Sequence, residues 1–320
     1  MKGVVATVTP YITPQMLVDA PTGCSWSILP EPGATVPAQQ AEITNVCNRA
    51  TSIVDTYCNQ MLRASVDNEE LFGPGSTTGR AGIQRGTGNG LLIMRRWPVI
   101  DVLALQTARN AGWPRTYVPV ESGLYAPEHP LINWYTDTAA PTVPDGAPTI
   151  STAPDIVHWR WGRNGVRLLA SYTNGWPHSS LTSAAETGAM TLNVDDVTGF
   201  TGASAMVYDG ASTETVSIAS VAASSPLALP NGVGTAETGP GVLTLNSPLA
   251  NPHDAGVAVS SLPANVIWAA VLAAAVQSLE GGIIAITIQS MPGSTSTGGN
   301  GVSDMQAQYK DFLTPYMRRS

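Results

Sequence analysis

The chain has 320 residues, of which 43% are hydrophobic and only 12% charged, with 31 Gly, 25 Pro and 3 Phe. Wholesale disorder is excluded, because disordered chains are poor in apolar residues and rich in charge, and the length is that of two folded units. The net charge is −8, which makes the chain a poor candidate for gripping nucleic acid, since phosphate neutralisation needs clustered Lys and Arg.

The first forty residues, broken by Pro10, Pro14, Pro21, Pro30, Pro32 and Pro37, read as an extended arm with at most one short turn of helix. The opening MKGVVATVTPYITP lacks the apolar stretch of a secretory signal. In AEITNVCNRATSIVDTYCNQMLRAS, the residues Ile43, Val46, Cys47, Ala50, Ile53, Val54, Tyr57, Cys58 and Met61 recur at steps of three and four. That spacing predicts an amphipathic helix with Asn45, Arg49, Ser52, Asn59 and Arg63 on its polar side. A Gly-rich loop follows, then the strand-like LLIMRRWPVIDVLALQTA, where Pro98 implies an edge position or a bend between two short strands. IVHWRWGRNGVRLLASYTNGW reads as a hairpin turning at Asn164-Gly165.

Between residues 178 and 262 the texture changes. No Lys or Arg occurs there, while Glu186, Asp195, Asp196, Asp209, Glu214, Glu237 and Asp254 give the span a charge of −7 and leave about −1 for the rest. Short strands are predicted at TLNV, AMVY, TVSIASV, VLTL and GVAVS, with turns at Asp209-Gly210 and Pro230-Asn231-Gly232. The span reads as a separate acidic β-sandwich or barrel. A buried helix is predicted in PANVIWAAVLAAAVQSLEG, from Pro263 to Gly281-Gly282. Its apolar run, Val266 to Val276, is too short to span a bilayer, so no membrane is implied. IIAITI reads as a strand and GSTSTGGNG as a flexible linker. SDMQAQYKDFLTPYMRRS reads as a short amphipathic helix with Met305, Tyr309, Phe312 and Leu313 on one face. The fold class is therefore α+β: an extended arm (1–40), a helical body with a hairpin and short strands (41–177 and 263–292), an inserted all-β domain (178–262), and a linker with a C-terminal docking helix (293–320).

Catalytic signatures are missing. GPGSTTGR lacks the Gly-Lys-Ser/Thr ending of a phosphate loop, and GTGNG has the wrong spacing for a dinucleotide fingerprint. His129, His158, His178 and His253 are scattered and read as surface or turn residues, since metal ligands show close spacing. Asp195, Asp196, Asp209 and Glu214 lack the alternating pattern of a calcium loop. Cys47 and Cys58 lie three helical turns apart, roughly 16 Å, and Cys24 is isolated, so reduced thiols and assembly in the cytoplasm are expected. The aromatic-basic stretch Trp159, Arg160, Trp161, Arg163 reads as a strand at a subunit boundary rather than a stacking platform for nucleic acid. No catalytic residues, cofactor or metal are expected, and the chain is not read as an enzyme.

Five stretches, in order, carry a resemblance. IVDTYCNQMLR closes a helix; LIMRRWPVIDVLAL gives Trp-Pro-Val-hydrophobic-x-Val; RLLASYTNGWP gives Tyr-x-x-Gly-Trp-Pro. PANVIWAAVLAAAV gives an Ala-rich helix, and YKDFLTPYMRR gives Leu-x-Pro-Tyr-x-Arg. Together they resemble the head–tail connector (head-completion adaptor) proteins of tailed bacteriophages, with residues 178–262 inserted between Trp176-Pro177 and Pro263. The resemblance implies a structural virion protein at the head–tail interface, forming a homo-oligomeric ring of twelve copies beneath the portal. That ring would extend the DNA ejection channel without sequence-specific binding and present a platform to a stopper or tail terminator. It also implies a portal or neighbour interface at Tyr309, Phe312, Leu313, Tyr316, Arg318 and Arg319. Inter-subunit contacts are expected at Arg49, Arg63, Arg95, Arg96, Trp159, Arg160 and Trp161. The alternative is a ligand- or carbohydrate-binding virion or surface protein acting through the β domain, whose aromatics are Phe200 and Tyr208.

Overall fold

A computed structural model describes residues 9–26, 29–31, 33–72, 82–85, 90–108, 117–119, 125–128, 131–134, 167–281 and 300–318. The expected hairpin at Asn164-Gly165, the strand IIAITI, most of the linker, Trp159, Arg160, Trp161 and Arg319 lie outside the described residues. The protein is mixed α and antiparallel β, and it divides into two compact units. The first holds Met1–Arg63, Pro177–Ala222 and Pro240–Met317; the second holds Ala64–Trp176, Ala223–Gly239 and Arg318–Ser320. These limits cut the chain differently from the sequence boundaries. The long N-terminal helix shares a unit with most of the insertion, while residues 223–239 of the insertion go to the other unit.

Among the described residues the first unit contains four α-helices. In α1 (Pro14–Asp19), the Thr13 hydroxyl caps the N-terminus by accepting from Met16 N at 3.2 Å, and Pro14 sits where its missing N–H costs nothing. Helix α2 runs Val36–Cys58, five residues earlier than its apolar stripe suggested. Pro37 reads as a breaker in sequence, but it occupies the first turn, where a fixed φ favours helix. The helix stops at Asn59, whose φ of 52° is left-handed. It buries Ile43, Val46, Cys47, Ala50, Val54 and Cys58, six of the nine residues of the predicted stripe; Ile53 and Tyr57 are half-buried, and Met61 lies beyond the end of the helix. Helix α3 (Ala264–Glu280) is apolar nearly all round and is correspondingly buried. It packs against α2 and against α4 (Asn300–Leu313).

The expected extended arm is instead part of this core. Tyr11, Ile12, Leu17 and Leu29 are fully buried. Tyr11 N donates to Thr51 Oγ1 of α2 at 2.9 Å, and the Tyr11 hydroxyl donates to Asp55 while accepting from Leu62 N at 2.8 Å and Arg63 N at 3.2 Å. The prolines rule out long helix here but not burial; large side chains between them, Tyr11 among them, reach the core.

The first unit also holds a six-stranded antiparallel sheet of β9 (His178–Ser180), β10 (Thr191–Val194), β11 (Ser204–Tyr208), β12 (Glu214–Ala223), β15 (Gly241–Leu245) and β16 (Ala258–Ser260), in the order β10-β15-β12-β11-β16-β9. All five predicted strands are present. Their alternation is physical: Leu192, Val194, Ala205, Val207, Val216 and Ile218 point inward, at most 4% exposed, while their neighbours face out. The sheet curls into a half-barrel whose two edges meet at an antiparallel bridge between Leu181 and Val194.

The second unit is antiparallel β. One sheet has the order β1-β8-β4-β5, from β1 (Ser65–Phe72), β4 (Val99–Ala108), β5 (Tyr117–Pro119) and β8 (Arg167–Asn174). Another has the order β2-β3-β7-β6, from β2 (Gly82–Arg85), β3 (Gly90–Ile93), β6 (Tyr125–Glu128) and β7 (Leu131–Trp134). Pro98 marks a bend, as one of its two sequence readings held: β3 and β4 on either side of it join different sheets, each paired on both edges. Leu71, Met94, Val102, Leu105, Leu168 and Tyr172 form the core. A small hairpin of β13 (Leu227–Ala228) and β14 (Thr235–Ala236) packs Leu229 and Ala236 on Ala104. Its Pro230-Asn231-Gly232 turn is gripped by buried Gln106, which donates to Pro230 O at 3.3 Å and accepts from Asn231 Nδ2 at 2.7 Å.

Candidate functional site

Of the described interface residues expected from the sequence, Arg49, Arg63, Tyr309, Phe312, Leu313 and Tyr316 belong to the first unit and Arg95, Arg96 and Arg318 to the second. On α2, Arg49 is ion-paired with Glu42 at 2.8 Å. Arg63 Nε lies 3.2 Å from Met61 Sδ. On the C-terminal segment, Tyr309 and Leu313 are buried within their own chain, and Phe312 and Tyr316 are half-buried. Gln60 Nε2 donates to Tyr316 O at 2.8 Å, fixing the end of the segment to the residues after α2. The segment expected to order on a partner is thus already seated.

In the second unit, Arg95 and Arg96 serve a carboxylate network that the sequence did not reveal. Glu69 of β1 is buried, with Arg95 Nε at 3.1 Å from Oε1, and with Arg95 N and the Tyr172 hydroxyl donating to Oε2 at 3.0 Å each. Burial pushes the Glu69 carboxyl above its ordinary range, against those donors and the charges of Arg95 and Arg318. Arg96 pairs with Asp67 at 3.2 Å, and Asn174 Nδ2 donates to the same oxygen at 2.6 Å. SVDNEELF shows no apolar alternation, so nothing in the sequence marked it as a paired strand.

Two of the four histidines, expected at the surface, are buried; His129 and His158 lie outside the described residues. His178 Nδ1 is 2.9 Å from Ser260 Oγ and Nε2 is 2.8 Å from Pro10 O. A carbonyl can only accept, so Nε2 carries the hydrogen and Ser260 donates to Nδ1. Burial lowers the His178 pKa to about 4, helped by Arg63 and opposed by the Pro10 carbonyl and Asp196. The pair resembles a base with its nucleophile, but Ser260 is 2% exposed and is sealed from any substrate. It is a staple joining residues 10, 178 and 260.

Asp209 and Glu214 do come together, around a histidine. His253 has a fully buried side chain, with Nδ1 at 3.1 Å from Asp209 and Nε2 at 2.9 Å from Glu214. Burial alone would raise the Glu214 carboxyl. The N–H groups of Ala250 and Asn251, at 2.9 and 2.8 Å, together with His253, outweigh that and hold it below its ordinary value. Asp196 instead accepts from Thr198 N at 2.9 Å within its own turn, and Asp195 accepts from the Ser180 hydroxyl. Among the described residues no cluster suited to a metal ion occurs.

A concavity lies in the first unit. A cleft of about 270 Å³ is lined by Gln15, Met16 and Asp19 of α1 and Ala20 just after it, by Tyr208, Gly210 and Thr213 at the end of β11 and its turn, and by Ile267, Trp268 and Val271 of α3. Its residues come from three distant stretches of chain, so no local motif could announce it. The turn wall is braced from within: Asp209 N donates to Thr213 Oγ1 at 3.0 Å, Thr213 Oγ1 donates to Gly210 O at 2.9 Å, and His253 is held between the flanking Asp209 and Glu214. Gln15 Nε2 donates to both carboxylate oxygens of Asp19 at 2.8 Å.

No helix among the described residues is long and apolar enough to cross a membrane. No protein-family model, no curated protein and no solved structure matches the chain.

Proposed function

We propose that the chain is a structural virion protein of a tailed bacteriophage: a ring-forming adaptor between the portal and a stopper or tail terminator. In this reading it extends the channel through which double-stranded DNA leaves the head. The observation that carries the proposal is the packing of α2 and α4 on α3 within one compact unit, although α2 and α3 are separated by the whole inserted β segment. That packing supports the reading by bringing together the three helical stretches of the connector-like series; the other two stretches belong largely to the second unit. The work of such a protein is geometric: copies of one surface meet copies of another, and the ring closes when the rotation per subunit divides a full turn.

The β half-barrel, lacking Lys and Arg between residues 178 and 262, has nothing with which to neutralise phosphate and is assigned to the outer rim. The surface that meets the portal or a neighbouring copy is assigned to the C-terminal segment. There, buried Tyr309 and Leu313 hold the helix in place, while Phe312, Tyr316 and Arg318 remain partly accessible and Met317 is 43% exposed. Mass photometry and negative-stain imaging of the purified protein, alone and with portal rings, test the proposal. Rings, or twelve-fold decoration of the portal, are expected; single copies under both conditions would refute it.

A further inference from the structure

We infer that the cleft formed by α1, α3 and the turn after β11 binds a neutral sugar ring. Three features of the cleft lead there. Its volume, about 270 Å³, lies just below the roughly 300–1,000 Å³ typical of small-molecule pockets, room for one pyranose but not for a nucleotide with its phosphates. Trp268 and Tyr208, both partly exposed, supply flat apolar faces of the kind on which the C–H face of a sugar stacks, and Ile267 and Val271 continue that wall. At the exposed rim, Gln15 holds the Asp19 carboxylate by donating to both of its oxygens. Each of those oxygens keeps lone-pair capacity, and the amide oxygen of Gln15 adds another acceptor, so adjacent hydroxyl groups find paired partners.

Charge narrows the class further. No Lys or Arg lines the cleft and its one charged side chain is Asp19, so phosphate, sulfate and carboxylate ligands meet repulsion with no compensating donor. The combination of stacking faces, a fixed carboxylate and an amide suits a polyhydroxylated, uncharged ring. The cleft is braced before any ligand arrives, by Thr213 and by His253 between Asp209 and Glu214, which limits the ordering cost of binding. It lies within a single copy, so it does not depend on ring assembly.

The test is saturation-transfer NMR on the full-length protein with glucose, galactose, mannose and N-acetylglucosamine, each free and as its methyl glycoside, at about 10 mM, the range in which a small open site binds. At least one sugar is expected to bind with a millimolar Kd. A preference for the glycoside identifies the end of a glycan chain as the source, and equal binding identifies free sugar. The double variant Gln15→Ala/Asp19→Asn alters two exposed residues and is expected to keep the wild-type melting curve while weakening binding by about tenfold or more, the loss of charge-assisted hydrogen bonds. Trp268→Ala should remove the signal. Absence of binding by every sugar overturns the inference. So does binding that survives in the correctly folded double variant, or equal binding of glucose 6-phosphate.

Discussion

Tyr11 decides whether the first residues of the chain are an arm or a part of the core, and Tyr11→Phe isolates the question to one oxygen atom. The ring is fully buried and its edge-on contact with His178, at 5.8 Å between centroids, survives the change. What is lost is the hydroxyl that donates to Asp55 and accepts from Leu62 N and Arg63 N. Burial, then the charge of Asp55, pushes the Tyr11 phenol well above its ordinary value, so it is a proton donor at every working pH. A hydrogen bond to a charged group contributes about 1.5–3 kcal/mol, and a buried donor left without a partner costs about 1–3 kcal/mol. Leu62 N keeps a longer contact to Asp55 at 3.3 Å, which softens the second cost. The expected loss is roughly 2–4 kcal/mol, or a fall in melting temperature of about 5–15 °C for a unit of this size. Thermal unfolding of wild type and variant side by side reads it directly. A variant that melts within a degree of wild type would show that the hydroxyl is not anchoring the segment, and the arm reading would return.

The pH dependence should carry the mark of His178. Its folded pKa, about 4, lies below its ordinary 6.5, so the unfolded chain takes up the proton first. Stability is complete above about pH 6.5 and declines as pH falls toward 4, by at most about 1.4 kcal/mol per pH unit. Urea midpoints across that window should fall more steeply for wild type than for His178→Gln, and parallel curves would remove His178 from the account. Gln106→Ala deletes both bonds to the Pro230-Asn231-Gly232 turn; amide exchange in residues 227–236 should accelerate by about tenfold or more, while the core of β8 is unchanged. Glu214→Ala frees Ala250 N, Asn251 N and one nitrogen of His253 at once. A loss of about 2–4 kcal/mol is expected, with Glu214→Gln recovering part of it; equal stability of all three proteins would contradict the clamp.

The parts of the fold that could be read in advance were those where burial is one-sided. Strand β10 alternates exposed and buried positions because one face of the half-barrel meets solvent, and α2 shows its stripe for the same reason. Where both sides are engaged, the pattern fails. Strand β1 carries Asp67, Asn68, Glu69 and Glu70 in succession, yet Glu69 is buried because Arg95 and Tyr172 meet it from elsewhere in the chain. Partners supplied at long range leave no local trace. The N-terminal prolines misled for a different reason: they report backbone conformation, and burial of Tyr11 and Leu17 is decided by what packs on them. The cleft was invisible in the sequence because Asp19, Tyr208 and Trp268 become neighbours only on folding.

Helix α4 is seated before any partner arrives: Leu313 has no exposed surface and Tyr309 retains 7%. A tail that must coil up on its target forfeits about 1–2 kcal/mol for every residue whose backbone it freezes, a toll that would consume most of what a modest contact area supplies. Here that toll has been met during folding, so on the proposed adaptor reading a few outward side chains would suffice for recognition, and association would proceed by collision of rigid shapes at rates that a folding step would otherwise slow.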